Sequence, residues 1–333
     1  MFRKIDFLAI GDTVVDAFIR LDTASVHCNI NHEQCELCMP FAEKIPYEFV
    51  EVVKAVGNSA NAAVSAARLG LSSGLVTDLG GDQNGAECIA ELKKQGVSTK
   101  FVARHKHMQT NYHYVLWFED ERTILVKHQE YPYSLPRIGS PRWLYLSSLG
   151  QNSLPYHTQI MEYIRAHPEI KLAFQPGTFQ MKLGVEKLRE LYKRCEIFFC
   201  NVEESKRILG IPADSHAGIK ELLIQMHGLG PKIICITDGP KGAYAYDGTT
   251  AWFMPPYPDP KPPYERTGAG DAFASTVTAA LALGKPLDVA LSWGPINSMS
   301  VVQQIGAQKG LLSRKEVEHF LENAPKEYTP REI

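Results

Sequence analysis

The stretch that most constrains this chain is Thr267-Gly268-Ala269-Gly270-Asp271. A proline-rich loop over residues 255–263 precedes it. An alanine-rich apolar run follows over residues 272–283, closed by Gly284. Phe273, Val277 and Leu281 recur at a spacing of four, which is one face of a helix. Gly284 then Pro286 reads as a helix stop followed by a start. Gly268, Ala269 and Gly270 therefore form the first turn of a buried helix, where small residues let a ligand approach and unbonded N–H groups point outward. That is an anion site made of backbone. Asp271 is the discordant member, because an anion beside it would repel its carboxylate. Proton abstraction accounts for it: the acid takes a hydroxyl proton while the amides hold the charge growing on a transferring phosphoryl group. The plainer alternative is a glycine-rich cap with an ordinary first-turn acid. The rest of the chain decides between them.

The 333 residues are enough for one large domain with an accessory element. Lys and Arg number 35 against 37 Asp and Glu, so no basic excess points to nucleic acid. No apolar run reaches the roughly 18 residues of a membrane span. The opening Met1-Phe2-Arg3-Lys4-Ile5-Asp6 leads into strand-like sequence and carries an acid where a signal peptide stays apolar, so the expected location is the cytoplasm. Cys88, Cys195, Cys200 and Cys235 are scattered singly, as reduced core thiols are. Cys28, Cys35 and Cys38 cluster with His32, and two readings stay open there: a structural zinc site or free thiols on a loop.

An apolar strand over 5–10 ends at Gly11, with Asp16 just beyond it, where open α/β sheets place ligands. Gly57-Asn58-Ser59-Ala60-Asn61 enters a helix over 62–69. Asn58 and Asn61 either meet sugar hydroxyls or cap that helix. Strand and helix then alternate, break near Phe101 and resume at Trp143, with one helix expected over 183–192. Runs at 14–21, 48–53, 111–117 and 123–127 read as a small separate sheet. We expect one domain over 1–333, with a lid formed by about 13–53 and 99–130. His105, His107 and His113 fall in the lid at no ligand spacing and read as surface or hydrogen-bonded histidines. The fold class expected is α/β: a three-layer sandwich with a mostly parallel sheet, helices on both faces and a small β-sheet lid.

No P-loop, dinucleotide fingerprint, Gly-x-Ser-x-Gly or His-Glu-x-x-His occurs. Asn201 and Glu204 stand three apart at a helix start, where a carboxylate can hold magnesium through its waters or simply cap. Thr237 and Gly239 end a strand, to meet a nucleotide or to make a tight turn.

The order of these motifs resembles the ribokinase-like, or PfkB, family of carbohydrate and nucleoside kinases, from Ile5 to about Leu312. Thr267-Gly268-Ala269-Gly270-Asp271-Ala272-Phe273 resembles its C-terminal signature, and Gly57-Asn58-Ser59-Ala60-Asn61-Ala62-Ala63 its N-terminal one. Asn201-x-x-Glu204 resembles the magnesium-associated motif, and Thr237-x-Gly239-x-x-Gly242 the nucleotide loop. The resemblance implies ATP and Mg2+ as cofactors, Asp271 as base, and Gly268, Ala269 and Gly270 as anion hole. It implies Asp16, Gly57, Asn58 and Asn61 on the substrate, and Asn201, Glu204, Thr237, Gly239, Gly242 and Asn297 on the nucleotide side. It implies a lid that often serves as a dimer surface, hence a homodimer through it. Val56-Gly57 stands where the family has Gly-Gly. Asn58 stands where ribokinases often carry Lys, which leaves ribose unsecured. Glu265-Arg266 replaces the commoner Asp-Thr, whose Asp helps hold an activating monovalent cation. The leading expectation is a sugar kinase. A nucleoside kinase is the alternative, with Tyr112, Tyr114, Trp117 and Phe118 either stacking on a base or packing the lid. A non-catalytic sensor is a third reading.

Overall fold

The computed structural model describes residues 5–28, 35–119 and 121–333. β1 (Phe7–Ile10) is followed by β2 (Val14–Leu21), the hairpin of β3 (Ser25–Cys28) and β4 (Cys35–Cys38), and β5 (Tyr47–Val56). α1 (Asn58–Arg68), β6 (Ser73–Gly80), α2 (Gln83–Lys94) and β7 (Ser98–His105) come next, then β8 (Asn111–Phe118) and β9 (Glu121–Leu125). The second half runs β10 (Trp143–Leu146), α3 (Leu154–Ala166), β11 (Lys171–Phe174), α4 (Thr178–Leu183), α5 (Arg189–Arg194), β12 (Cys195–Asn201), α6 (Val202–Leu209), α7 (Ile219–Gly228) and β13 (Ile233–Thr237). It closes with β14 (Ala243–Tyr246), β15 (Ala251–Met254), α8 (Ala269–Ala282), α9 (Leu287–Val301), α10 (Arg314–Glu322) and β16 (Arg331–Glu332).

The central strands dictate the layers. In β1, Phe7 and Ala9 enter one core cluster while Leu8 and Ile10 enter a second. A strand apolar on both faces is stable only inside a sheet covered on both sides. The larger sheet has the order β16-β15-β14-β13-β12-β11-β10-β1-β6-β7. The seven strands from β13 to β7 run parallel, and β14, β15 and β16 are added antiparallel. α1, α8 and α9 pack over the first cluster, and α3 and α7 over the second. The expected α/β layering, with a separate small sheet, is what the chain forms.

That small sheet has the order β5-β2-β8-β9. Its inner face carries Phe18, Val115 and Trp117, packed against Ile305. Of the segment 99–130 expected in a lid, β8 and β9 belong to this small sheet, and residues 99–105 lie in β7. β7 joins the edge of the main sheet beside β6, because Phe101 and Val102 pack into the two cores. Of the helix expected over 183–192, Leu183 is the last residue of α4 and only residues 189–192 are helical beyond it, in α5. Gly184 sits at φ +83° and ends α4, and α5 begins five residues later. Among the described residues no helix is long and apolar enough to cross a membrane.

The cysteine cluster is neither a zinc site nor a set of free thiols. β3 and β4 pair antiparallel, with Cys28 opposite Cys35, and the two form a disulfide. That leaves Cys38 as the one free thiol of the three. Two of the three proposed ligands are spent on each other, and His32 lies outside the described residues. Among the described residues no group of three or more His, Cys, Asp or Glu is gathered to hold a metal ion. Cys88, Cys195, Cys200 and Cys235 are free and buried, as expected.

Candidate active site

Gly268 caps α8 in the left-handed region, φ +84°. Its carbonyl accepts the first intrahelical bond, from Ala272 N–H at 2.8 Å. The amides of Gly268, Ala269 and Gly270 precede that bond, and all three residues line a cavity of about 460 Å³. Asp271 stands half-buried on its wall. Its Oδ1 accepts from Asn58 Nδ2 at 2.7 Å and from Gln175 Nε2 at 3.0 Å, and its Oδ2 accepts from Asn61 Nδ2 at 2.8 Å. Two of these amides, Asn61 and Gln175, are fixed from behind. Gln308 Nε2 donates to Asn61 Oδ1 at 2.9 Å, and the Tyr145 hydroxyl donates to Gln175 Oε1. Desolvation pushes the Asp271 carboxyl above the ordinary aspartate value, against the pull of its three amide donors. Asn58 and Asn61 therefore do not cap α1, whose N-cap, Gly57, makes no side-chain cap bond.

Sheet register brings the lid to the same cavity. Asp16 pairs with Val53 and His113, so these residues share the inner face, while Ala17, Val52 and Tyr114 share the outer one. Asp16 is 8% exposed, and its Oδ1 lies 3.4 Å from His113 Nδ1. A second acid–imidazole pair stands beside it: Asp12 Oδ2 is 3.6 Å from His128 Nδ1 and also accepts from the Tyr133 hydroxyl. His113 is thus a cavity residue and not a surface one. Asp12 and His128 carry no motif in the sequence that marks them for this cavity. Arg122, Ile124 and Val126 complete the lid wall. Tyr112, Tyr114, Trp117 and Phe118 do not line it. Trp117 is buried against Phe49 and Tyr264, and Tyr114 faces outward.

A second cavity of about 280 Å³ adjoins the first and shares Thr237, Arg266, Ala269, Gly270 and Phe273 with it. Gly239 and Gly242 line one side, and Tyr257, Pro295 and Met299 add an apolar wall. Asn297 is placed elsewhere. It is fully buried, donating to Thr276 Oγ1 and accepting from Leu312 N–H, and its neighbours Pro295 and Ser298 face the cavity instead. Asn201 and Glu204 line the larger cavity and cap α6 reciprocally: Asn201 N–H donates to Glu204 Oε2, and Glu204 N–H to Asn201 Oδ1. Burial raises the Glu204 carboxyl. The Asn201 amide and Arg207 oppose the shift, and the charge of Asp271 adds to it.

Residues 21–314 match the family described as pfkB family carbohydrate kinase. The chain belongs to the pfkB family. It is 26% identical over 271 residues to the ribokinase of Bacillus subtilis, covering 80% of this chain and 87% of that one. It is 24% identical over 333 residues to a nucleoside kinase of Methanothermobacter thermautotrophicus, covering 93% and 94%. The structure of Arabidopsis thaliana ribokinase complexed with ribose and ATP superposes with a TM-score of 0.78 at 20% identity, covering 96% of this chain and 99% of that one. A pfkB kinase is a phosphotransferase acting on sugars or nucleosides, and these two relatives lie on either side of that choice.

Proposed function

We propose that this pfkB kinase moves the γ-phosphoryl group of ATP, with Mg2+, to a hydroxyl of a small sugar. The observation that carries the reading is Asp271, a carboxylate held by three amides where the larger cavity meets the open first turn of α8. The sugar lies in the larger cavity against Asp16, Gly57, Asn58 and Asn61, with Asp12 and His113 beside them. The nucleotide lies in the smaller one along Thr237, Gly239 and Gly242. As the acceptor oxygen attacks the γ-phosphorus, its proton passes to Asp271. A new P–O bond forms, the bond to ADP breaks, and ADP leaves with the electron pair. The amides of residues 268–270 meet the charge spread over the phosphoryl oxygens.

Magnesium fits the residues present without a protein cage. Mg2+ keeps most of its waters and is held by one or two carboxylates plus substrate phosphates. Glu204, raised by burial beside Asp271, is a carboxylate whose charge a cation would relieve, and Asn201 orients it. The ion, when bound, neutralises phosphate charge. Glu204→Gln keeps the α6 cap but loses the charge. It is expected to raise the magnesium concentration for half-maximal rate about 10- to 100-fold, checked by titrating Mg2+ at fixed ATP.

The cavity wall favours a polyol over a nucleoside. It presents carboxylates, amides and imidazoles alongside Ile124, Val126 and Phe199, and none of the four lid aromatics that could stack on a base lines it. A coupled ADP-release assay across sugars and nucleosides, with melting-temperature shifts in parallel, tests this. A sugar should be turned over at least about tenfold faster, a margin of about 1.4 kcal/mol. A nucleoside ahead by that margin would reverse the assignment, and binding without ADP release from any acceptor would remove the transfer itself. Val50, Val52 and Tyr114 expose apolar surface on the lid. We assign that surface to a second copy of the chain, checked by light scattering.

A further inference from the structure

The loop entering the Gly268 turn carries an acid with telling neighbours. Glu265 is 1% exposed. Its Oε1 accepts from Thr267 N–H at 2.7 Å and its Oε2 from Gly306 N–H at 3.3 Å. Arg122 Nε, from β9 of the lid, lies 3.9 Å from Oε1. Trp117, paired with Arg122 across β8 and β9, packs edge-on against Tyr264, so the lid meets this loop twice. Both carboxylate oxygens are thus engaged by N–H donors, with a guanidinium beside them. A metal ion seeks oxygen ligands, and N–H hydrogens and a fixed positive charge repel it. Glu265 therefore does not fit as a ligand for the monovalent cation that the commoner Asp at this position helps hold. A buried carboxylate nevertheless needs a counter-charge.

We propose that Arg122 is that counter-charge: the lid, and not an inorganic ion, neutralises Glu265 and so holds the Thr267 amide at the mouth of the turn. Arg122 is in this respect a positioning residue, acting through Glu265. The inference rests on the kinase reading only where it concerns turnover. As the counter-charge it stands on geometry alone.

The test compares wild type, Arg122→Gln, Arg122→Lys, Glu265→Gln and the double variant Arg122→Gln/Glu265→Gln in potassium, sodium and tetramethylammonium chloride at equal ionic strength. Melting temperature and ADP release are both read. Wild type should be indifferent to the cation in both. Arg122→Gln should melt at least about 3 °C lower in tetramethylammonium. It should lose about tenfold in kcat, equivalent to about 1.4 kcal/mol, with a smaller change in KM. Potassium, or low millimolar guanidinium, should restore part of each loss, and Arg122→Lys should retain most of both. The double variant should melt above Arg122→Gln, because the uncompensated charge is gone. A wild-type rate that needs potassium, or an Arg122→Gln variant indistinguishable from wild type, would overturn the proposal. If the melting pattern holds while no acceptor is phosphorylated, the counter-charge stands and the kinase reading falls.

Discussion

Asp271→Asn should lower kcat about a thousandfold while nucleotide binding persists, because general-base catalysis contributes about 10²- to 10⁴-fold. The isosteric amide keeps an oxygen for Asn58 and Gln175, which both donate to Oδ1. It sets an N–H against Asn61, whose amide cannot turn because Gln308 donates to its oxygen. That mismatch costs stability. The loss of a disfavoured charge restores it. The Asp271 carboxyl is raised in the fold relative to the unfolded chain, so at neutral pH, where both are ionised, the buried charge lowers stability. The opposing effects should leave the melting temperature within about 4 °C of wild type. Steady-state kinetics with a nucleotide-induced thermal shift checks both halves. A variant that keeps near wild-type turnover would remove Asp271 from the chemistry.

The same shift fixes the sign of a pH effect. A base must be ionised to accept the proton, so kcat/KM should fall as pH drops through the Asp271 value. Desolvation places that limb above the ordinary aspartate value of about 3.9. The Asp271→Asn variant should lose this limb, which a pH–rate profile of both proteins would reveal. A limb of the same position surviving in the variant would assign it to another group, with Glu204 the first to examine since it too is raised.

What could be read from the sequence was whatever a short window encodes. β1 is apolar on both faces, so a covered parallel sheet follows from four residues. The turn at Gly268 and the acid three places on sit in one stretch, as do Asn58 and Asn61. The partners that convert those residues into a site come from distant segments. Gln175 reaches Asp271 across 96 residues, and Gln308 reaches Asn61 across 247. Asp12, His113 and His128 had no motif spacing, because the cavity joins a strand end of one sheet to the inner face of another. Cys28 and Cys35 show the converse failure. Their spacing suited a metal, but the hairpin sets them opposite each other in register, which spacing alone does not disclose. Asn297 likewise matched by position, while helix geometry turned its side chain into the core and its neighbours toward the cavity.

Two glycines in one turn should respond to alanine in opposite ways. Gly268 holds φ +84°, and a Cβ there would meet Ala307 Cβ at 2.2 Å and Ala307 Cα at 2.6 Å. The left-handed backbone alone costs an alanine about 1–2 kcal/mol, and the contact with Ala307 includes a backbone atom that cannot swing away. Gly268→Ala should therefore displace the turn, lowering the melting temperature by several degrees and kcat by about 10²- to 10³-fold, the loss typical when a donor leaves an oxyanion site. Gly270 is inside α8, and a Cβ there meets nothing within 4 Å. Alanine at a helical glycine is worth up to about 1 kcal/mol of stability, so Gly270→Ala should melt at or above wild type. Yet Gly270 faces both cavities, and on the proposed mechanism the migrating phosphoryl group passes through the open space beside it. The added methyl should raise the KM for ATP and cut turnover in a protein that is, if anything, more stable. That separation of stability from activity is the informative outcome, since a merely structural turn would lose both together or neither. A Gly270→Ala protein with unchanged nucleotide affinity and rate would mean that phosphate never approaches the mouth of α8.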